Sequence, residues 1–158
     1  MLVDVRAHAL LIVPVRFALG LAGLVGARLL GVSPGASLGL FGLGGGLFLL
    51  AVLTSRRRRA FWQHVREART LDPVPPVEDW PSTLARAVYP STIGVSALTA
   101  IALPIDAALA AVTAGILGGM ALGALIAGVE IVLWEQSQGV RLLATPGRRS
   151  DLFVRPAA

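Results

Sequence analysis

Two charged residues, Arg16 and Glu130, lie within long apolar stretches of the sequence. At about 100° of rotation per residue, Arg16 shares a helix face with Gly20 and Gly23, and Glu130 shares one with Gly123. Small residues let helices approach closely, and a charge in hydrocarbon is costly unless it is paired. We therefore expect an ion pair between Arg16 and Glu130 inside the bilayer. The alternative is that each side chain extends separately to the membrane surface.

A second group of polar residues lies near the other ends of the apolar stretches. Arg28 and Asp106 form a second possible pair, although both are close enough to lipid headgroups to be solvated instead. Thr92, Ser96 and Thr99 follow spacings of four and three, so a helix would present them on one face in line with Asp106. Such hydroxyls usually bond to the preceding turn or to a neighbouring helix. A stripe that ends in a carboxylate could instead line a path for protons or a cation.

Small residues recur every four positions between residues 107 and 127. The set is Ala107, Ala111, Gly115, Gly119, Gly123 and Ala127. In lipid, close backbone approach holds helices together, because there is no hydrophobic force between them. We predict that the face carrying Gly115, Gly119 and Gly123 packs against another helix. Shorter repeats of the same kind are Gly35/Gly39 and Gly42/Gly46.

The sequence has no motif of a conventional enzyme. The absence of cysteine excludes disulfides and thiol chemistry, and His8 and His64 alone cannot build a metal centre. The run Gly42–Gly46 lacks the Lys-Ser/Thr of a phosphate loop. Glu78 and Asp79 are adjacent in a loop flanked by prolines, where a solvated acidic patch is the simpler interpretation. We therefore predict no enzymatic activity, no cofactor and no metal.

All fourteen basic residues are arginine, and the net charge is +5. In a soluble protein this excess would indicate nucleic-acid binding, but here the arginines flank apolar segments, where orientation and anionic lipids account for them. We therefore predict no nucleic-acid partner, and contact with anionic lipid phosphates at the cytoplasmic face. The cluster that makes this contact is Arg56, Arg57, Arg58 and Arg59. The absence of Lys and Asn favours a GC-rich bacterial source.

The composition indicates a membrane protein. Apolar residues make up 55% of the chain and the mean hydropathy is +0.75, far outside the range of soluble domains. A bilayer core of about 30 Å needs about 20 apolar residues in a helix. The segments of that length are residues 9–31, 36–54, 87–105 and 107–134. Turn residues separate the first segment from the second and the third from the fourth. We therefore predict an all-α membrane protein with four transmembrane helices in two hairpins.

Arginine distribution predicts the orientation. Twelve arginines fall on one side of this arrangement and none in the two short turns on the other side, so both termini are expected in the cytoplasm. The chain then divides into a first hairpin (1–54), a cytoplasmic loop (55–86), a second hairpin (87–134) and a cytoplasmic tail (135–158). In the loop, Phe61, Val65 and Ala68 predict a helix on the membrane surface, followed by a Pro-rich connector. The tail is expected to be loosely ordered unless it docks on the loop or on a partner.

Three functions remain open on this basis. The first is a structural, assembly or accessory subunit of the plasma membrane, whose glycine-striped helices pack against a second copy or a larger membrane protein. The second is a small transporter or channel that uses Arg16, Glu130 and the stripe from Thr92 to Asp106. The third is a protein that handles lipid phosphates with the loop arginines. Fold analogy alone does not choose among them.

Overall fold

The computed structural model describes residues 2–70, 76–146 and 148–156, and in this part of the chain there are six helices and four short strands. The helices are α1 (Val5–Leu29), α2 (Pro34–Thr54), α3 (Arg56–Arg66), α4 (Trp80–Val88), α5 (Ser91–Ile105) and α6 (Ala107–Gln138). The strands are β1 (Val3–Asp4), β2 (Arg69–Thr70), β3 (Val140–Thr145) and β4 (Arg148–Pro156). We call α3, the four strands and the end of α6 that packs on them the sheet subdomain.

Local signals set the limits of the first hairpin. The Asp4 side chain accepts a first-turn N–H group and caps α1. Ser33 caps α2 in the same way, and Pro34 occupies the first position, where its missing N–H costs nothing. Between the helices, Gly31 has a φ of 97°, a conformation that glycine adopts without strain. These residues end α1 and begin α2 on either side of a short turn.

The segment predicted as one helix over residues 87–105 is broken. Its first two residues are the end of α4, residues 91–105 form α5, and the two helices meet at an angle of 49°. The break falls at Pro90, which cannot donate a backbone hydrogen bond. With 15 residues, α5 is about 22 Å long and does not cross a 30 Å core alone. The bent pair together is therefore the candidate for a further span.

Helix α6 lies at the centre of the bundle and packs against α1, α2 and α5. Asp106 begins it by accepting N–H groups of Ala108 and Leu109 at 2.8 and 3.1 Å. Gly139 ends it in the left-handed region, with a φ of 64°, so that β3 follows at once. The inward surface of α6 is built from small side chains, which allow three helices to approach it.

In the described part of the chain, three helices, α1, α2 and α6, are long and apolar enough to cross a membrane, and the bent α4–α5 pair makes up to four. Large apolar side chains cover their outer surfaces, far more than a soluble protein exposes. Examples are Leu21, Leu47, Ile101, Leu125 and Leu133. The chain is thus a mostly helical, multi-pass membrane protein.

The sheet joins segments that are far apart in the sequence. Its strand order is β1-β3-β4-β2, with β1 antiparallel to β3, β3 antiparallel to β4, and β2 parallel to β4. In register, Val3 lies opposite Ala144 and Arg69 opposite Phe153. The N-terminal residues, the segment after α3 and the tail therefore meet at the same end of the bundle.

The predicted surface helix is α3, but its apolar face is buried within the protein. Phe61 and Ala68 pack against the sheet subdomain core, and Val65, which is part of that core, is 2% exposed. Within the described residues the tail forms β3 and β4 and docks on the loop at α3, one of the two circumstances in which the sequence predicted order. Most of the predicted Pro-rich connector, residues 71–75, lies outside the described residues. The core of the sheet subdomain consists of Val65, Ile131, Leu142 and Leu152.

Candidate functional site

Arg16 joins three helices at the point where α5 begins. Its Nε donates to Thr92 Oγ1 at 2.9 Å, and its terminal nitrogens donate to Ser91 Oγ at 3.3 Å and to the carbonyl oxygen of Met120 at 3.4 Å. Thr92 is fully buried. The guanidinium group thus ties α1 to α5 and α6, because its fixed fork of donors reaches acceptors on both helices.

Glu130 has Arg58 as its ion-pair partner, which corrects the predicted pair with Arg16. The Arg58 and Glu130 side chains are 37% and 30% exposed. Arg16 contacts α6 at Met120, and ten residues along a helix separate two groups by about 15 Å. The sequence estimate of depth was misleading because α1 begins at Val5, earlier than the apolar stretch, and because α3 brings Arg58 over α6.

Arg28 and Asp106 also have partners other than each other. Arg28 Nε donates to Ser37 Oγ at 3.0 Å, and Ser37 donates in turn to the carbonyl oxygen of Pro34. Ser37 is fully buried although the sequence analysis did not single it out. Asp106 caps α6. Each predicted member of this pair thus stabilises a helix junction, α1–α2 or α5–α6.

The hydroxyl stripe of α5 faces the inside of the bundle. Thr92 accepts from Arg16, and Thr99, which is 4% exposed, donates to the carbonyl oxygen of Val95 at 2.9 Å. The Ser96 hydroxyl is buried and has no hydrogen-bond partner in the described part of the chain. Two of the three hydroxyls therefore serve helix packing and back-bonding.

The glycines of α6 lie directly against the backbone of α2. A Cβ atom added to Gly115 would overlap the carbonyl oxygen of Phe41, and one added to Gly119 would lie 2.5 Å from the carbonyl oxygen of Gly45. The contact is looser at Gly123, where the nearest atoms would be side-chain carbons at 3.8 Å. Close approach at the first two positions therefore requires glycine.

Helix α2 has a second glycine face, which we call the open glycine face. At 100° per residue its four glycines fall within about 60°, and Gly44, which packs on Val112 of α6, lies about 170° from their centre. All four are exposed, and a Cβ atom added to any of them would have no atom within 4 Å in the described structure. The open glycine face consists of Gly35, Gly39, Gly42 and Gly46.

An apolar cleft of about 270 Å³ adjoins the open glycine face. Phe17 of α1, Phe41 of α2 and Leu122 of α6 contribute its side-chain walls. Gly42 and Gly46 belong both to the cleft and to the open glycine face. A helix that lay on this face would therefore meet a continuous depression in the bundle surface.

The four loop arginines divide into two groups at the start of α3. Arg58 contacts Glu130 of α6. The other three are exposed and, at 100° per residue, cover about 160° of the helix surface, centred opposite Arg58. We call this set the arginine surface of α3. Its members are Arg56, Arg57 and Arg59.

Sequence analysis missed Glu135, a buried carboxylate that joins the bundle to the sheet. One of its oxygens accepts the N–H of Leu142 at 2.7 Å, and the other lies 3.9 Å from Arg6 and 4.0 Å from Arg141. The residue is only 4% exposed. Its three partners come from α1 and β3, so no spacing within α6 could have identified the role.

Among the described residues, no three His, Asp or Glu side chains come together in a way that could hold a metal ion. Comparisons with protein-family models, with curated proteins and with solved structures found no match.

Proposed function

We propose that the chain is a structural, assembly or accessory subunit of a membrane complex, and that the open glycine face of α2 binds a transmembrane helix of its partner. The partner is a second copy of the chain or a larger membrane protein. Both offer the same chemistry, an apolar helix within the bilayer.

The observation that carries the proposal is the position of the four open glycines. Glycine in a helix costs about 1 kcal/mol relative to alanine, so four on one outer face weaken α2 unless another backbone approaches there. On the opposite face of α2, Gly44 already allows close backbone contact with α6. A partner helix would gain the same close contact on the open side.

The surroundings of the open glycine face suit an apolar helix. Leu38, Leu43 and Leu50 are exposed and flank the glycines as ridges, so that a partner helix would lie in a groove. Helix α2 contains no charged residue, and nothing on it would repel an apolar partner. The adjoining cleft adds depth where a side chain of the partner can insert.

We further propose four spans, with both termini in the cytoplasm of a bacterial plasma membrane. The sheet brings β1, β2, β3 and β4 to one end of the bundle, and this arrangement supports an even number of crossings. Helices α4 and α5 joined at 49° reach about 30 Å, enough for the third crossing. The twelve arginines at this end favour the cytoplasmic side.

The transporter or channel remains the alternative function. Its proposed residues have structural partners: Glu130 binds Arg58, Thr92 binds Arg16, and Asp106 caps α6. No specific feature of the described residues favours a path along them over a packing role.

The proposal is tested by the mass of the purified protein in mild detergent, for wild type and for Gly42→Leu and Gly46→Leu variants. We expect the wild type to elute as a complex with itself or with a stoichiometric partner. Leucine at either position fills the groove and should shift the protein to the monomer mass.

Gly94→Leu is the matched control, because Gly94 of α5 is also exposed and has no neighbouring atom within 4 Å of an added Cβ atom. This variant should keep the complex. A wild type that is monomeric and alone both in mild detergent and in bilayers would refute the proposal, and so would equal loss of the complex in Gly94→Leu.

A further inference from the structure

Positive charge is concentrated in the first turn of α3. The turn holds four arginines and no acidic residue. The N-terminus of a helix already carries partial positive charge, so cations there oppose the helix dipole. Glu130 neutralises Arg58, while the arginine surface of α3 has no ion-pair partner among the described residues. An external anion would remove this cost.

The arginine surface lies where lipid phosphates are found. Helix α2 has 21 residues and is about 30 Å long, the thickness of the hydrocarbon core. It ends at Thr54, and α3 begins at Arg56. The first turn of α3 is thus at the level of the headgroups. This step rests on the membrane placement in the proposed function.

We propose that the arginine surface of α3 binds the phosphate of an anionic phospholipid, and that the bound lipid stabilises the sheet subdomain through α3. Guanidinium groups bind phosphate through paired hydrogen bonds. Ser55 Oγ accepts the N–H of Arg58 at 3.3 Å, so the N–H groups of Arg56 and Arg57, at the start of the helix, remain as further donors for an anion.

The proposed lipid site and the core of the sheet subdomain are two helical turns apart on α3. Arg58 holds the first turn of α3 on α6, and Val65, two turns later, belongs to the core of the sheet subdomain. A ligand that binds α3 only in its folded, docked state stabilises that state by mass action. Lipid bound at the first turn therefore protects the strands that pack on α3.

Lipid binding is measured by native mass spectrometry of the full chain in detergent, with phosphatidylglycerol, phosphatidylcholine or inorganic phosphate added. We expect the wild type to prefer phosphatidylglycerol. The triple variant Arg56→Gln, Arg57→Gln, Arg59→Gln should lose about tenfold or more in that affinity. The single variant Arg57→Gln, which disturbs the helix less, should lose part of it. The matched control changes Arg66, Arg69 and Arg155 to Gln, which removes the same charge from exposed positions elsewhere.

Stabilisation is measured by hydrogen exchange of the Leu142 and Leu143 amides in bilayers with and without phosphatidylglycerol. Anionic lipid should slow this exchange in the wild type and in the control, and not in the triple variant. Unchanged exchange would refute the coupling to the sheet.

Three binding results would refute the lipid site: equal losses in the triple variant and its control, equal affinity for phosphatidylcholine, or displacement of the lipid by inorganic phosphate at the same concentration. Gly42→Leu separates this site from the proposed assembly function. It should bind phosphatidylglycerol like the wild type whether or not the complex forms.

Discussion

At the residue scale, the polar groups within the bundle act mainly as joints between helices. Arg16 donates hydrogen bonds to both α5 and α6. Arg28 donates one to Ser37 at the start of α2. In a medium without water, each such bond replaces one that solvent cannot supply. These side chains therefore fix how neighbouring helices are aligned.

The pair between Arg58 and Glu130 should contribute modestly to stability. Both side chains are about one third exposed, so we expect a coupling energy of about 1 kcal/mol, in the upper range for partly solvated pairs. A double-mutant cycle with Arg58→Ala and Glu130→Ala, followed by thermal unfolding in detergent, measures it. Strictly additive losses would mean that the two side chains do not interact.

The sequence identified which residues carry charge inside apolar stretches, but not their partners. Residue type and position in the sequence alone show that the charges of Arg16 and Glu130 need a polar or charged partner. The partner can be identified only from the path of the chain, since the start of α3 brings Arg58 next to Glu130 of α6. Glu135 was missed for the same reason, because its three partners lie in α1 and β3.

At the element scale, α2 and α6 touch through their backbones, and this contact should determine the stability of the bundle. Gly119→Leu would force the two helices apart, so we expect a loss of about 3 kcal/mol in the free energy of unfolding. Gly39→Leu is the matched control on the open glycine face, where an added Cβ atom meets no atom within 4 Å.

The measurement is thermal unfolding of both variants in a detergent that keeps the chain monomeric. Gly39→Leu should be as stable as the wild type or more stable by up to about 1 kcal/mol under these conditions, because leucine favours the helix more than glycine does. If it lost as much stability as Gly119→Leu, a general effect of the leucine side chain on detergent contacts would explain both results, and the α2–α6 contact would not.

Helices were predictable from the sequence because bilayer thickness sets their minimum length, and long apolar runs are easily recognised. The break at Pro90 was not, because the apolar run continues through it. The sheet was missed because β1 and β2 have two residues each and carry no periodic pattern. Their pairing depends on contacts across more than one hundred positions for β1 and about eighty for β2.

At the scale of the whole molecule, the sheet subdomain holds both ends of the chain together. Leu2 and Val3 are buried there, and Glu135 links the subdomain to α1 and α6. All segments of the subdomain must therefore lie on one side of the membrane. This gives the proposed topology a sharp test.

Single cysteines can be introduced cleanly, since the chain has none. Ser33→Cys, in the turn before α2, should react with an impermeant thiol reagent applied to intact cells. Gln63→Cys, on the exposed side of α3, should react only after the membrane is opened. Labelling of Gln63→Cys from outside would reverse the proposed orientation, and labelling of both would point to a mixed topology.

The pairing of β1 with β3 has a consequence for biosynthesis. Val3 leaves the ribosome well before its partner Ala144, which follows only after helices α1 to α6 have been made. Until then the apolar face of α3 and Trp134 have no sheet to cover them, and such surfaces are what chaperones and proteases recognise. Closure of the sheet therefore coincides with complete insertion of α6. A chain that stalls or inserts α6 wrongly would display an uncovered α3 and be open to degradation.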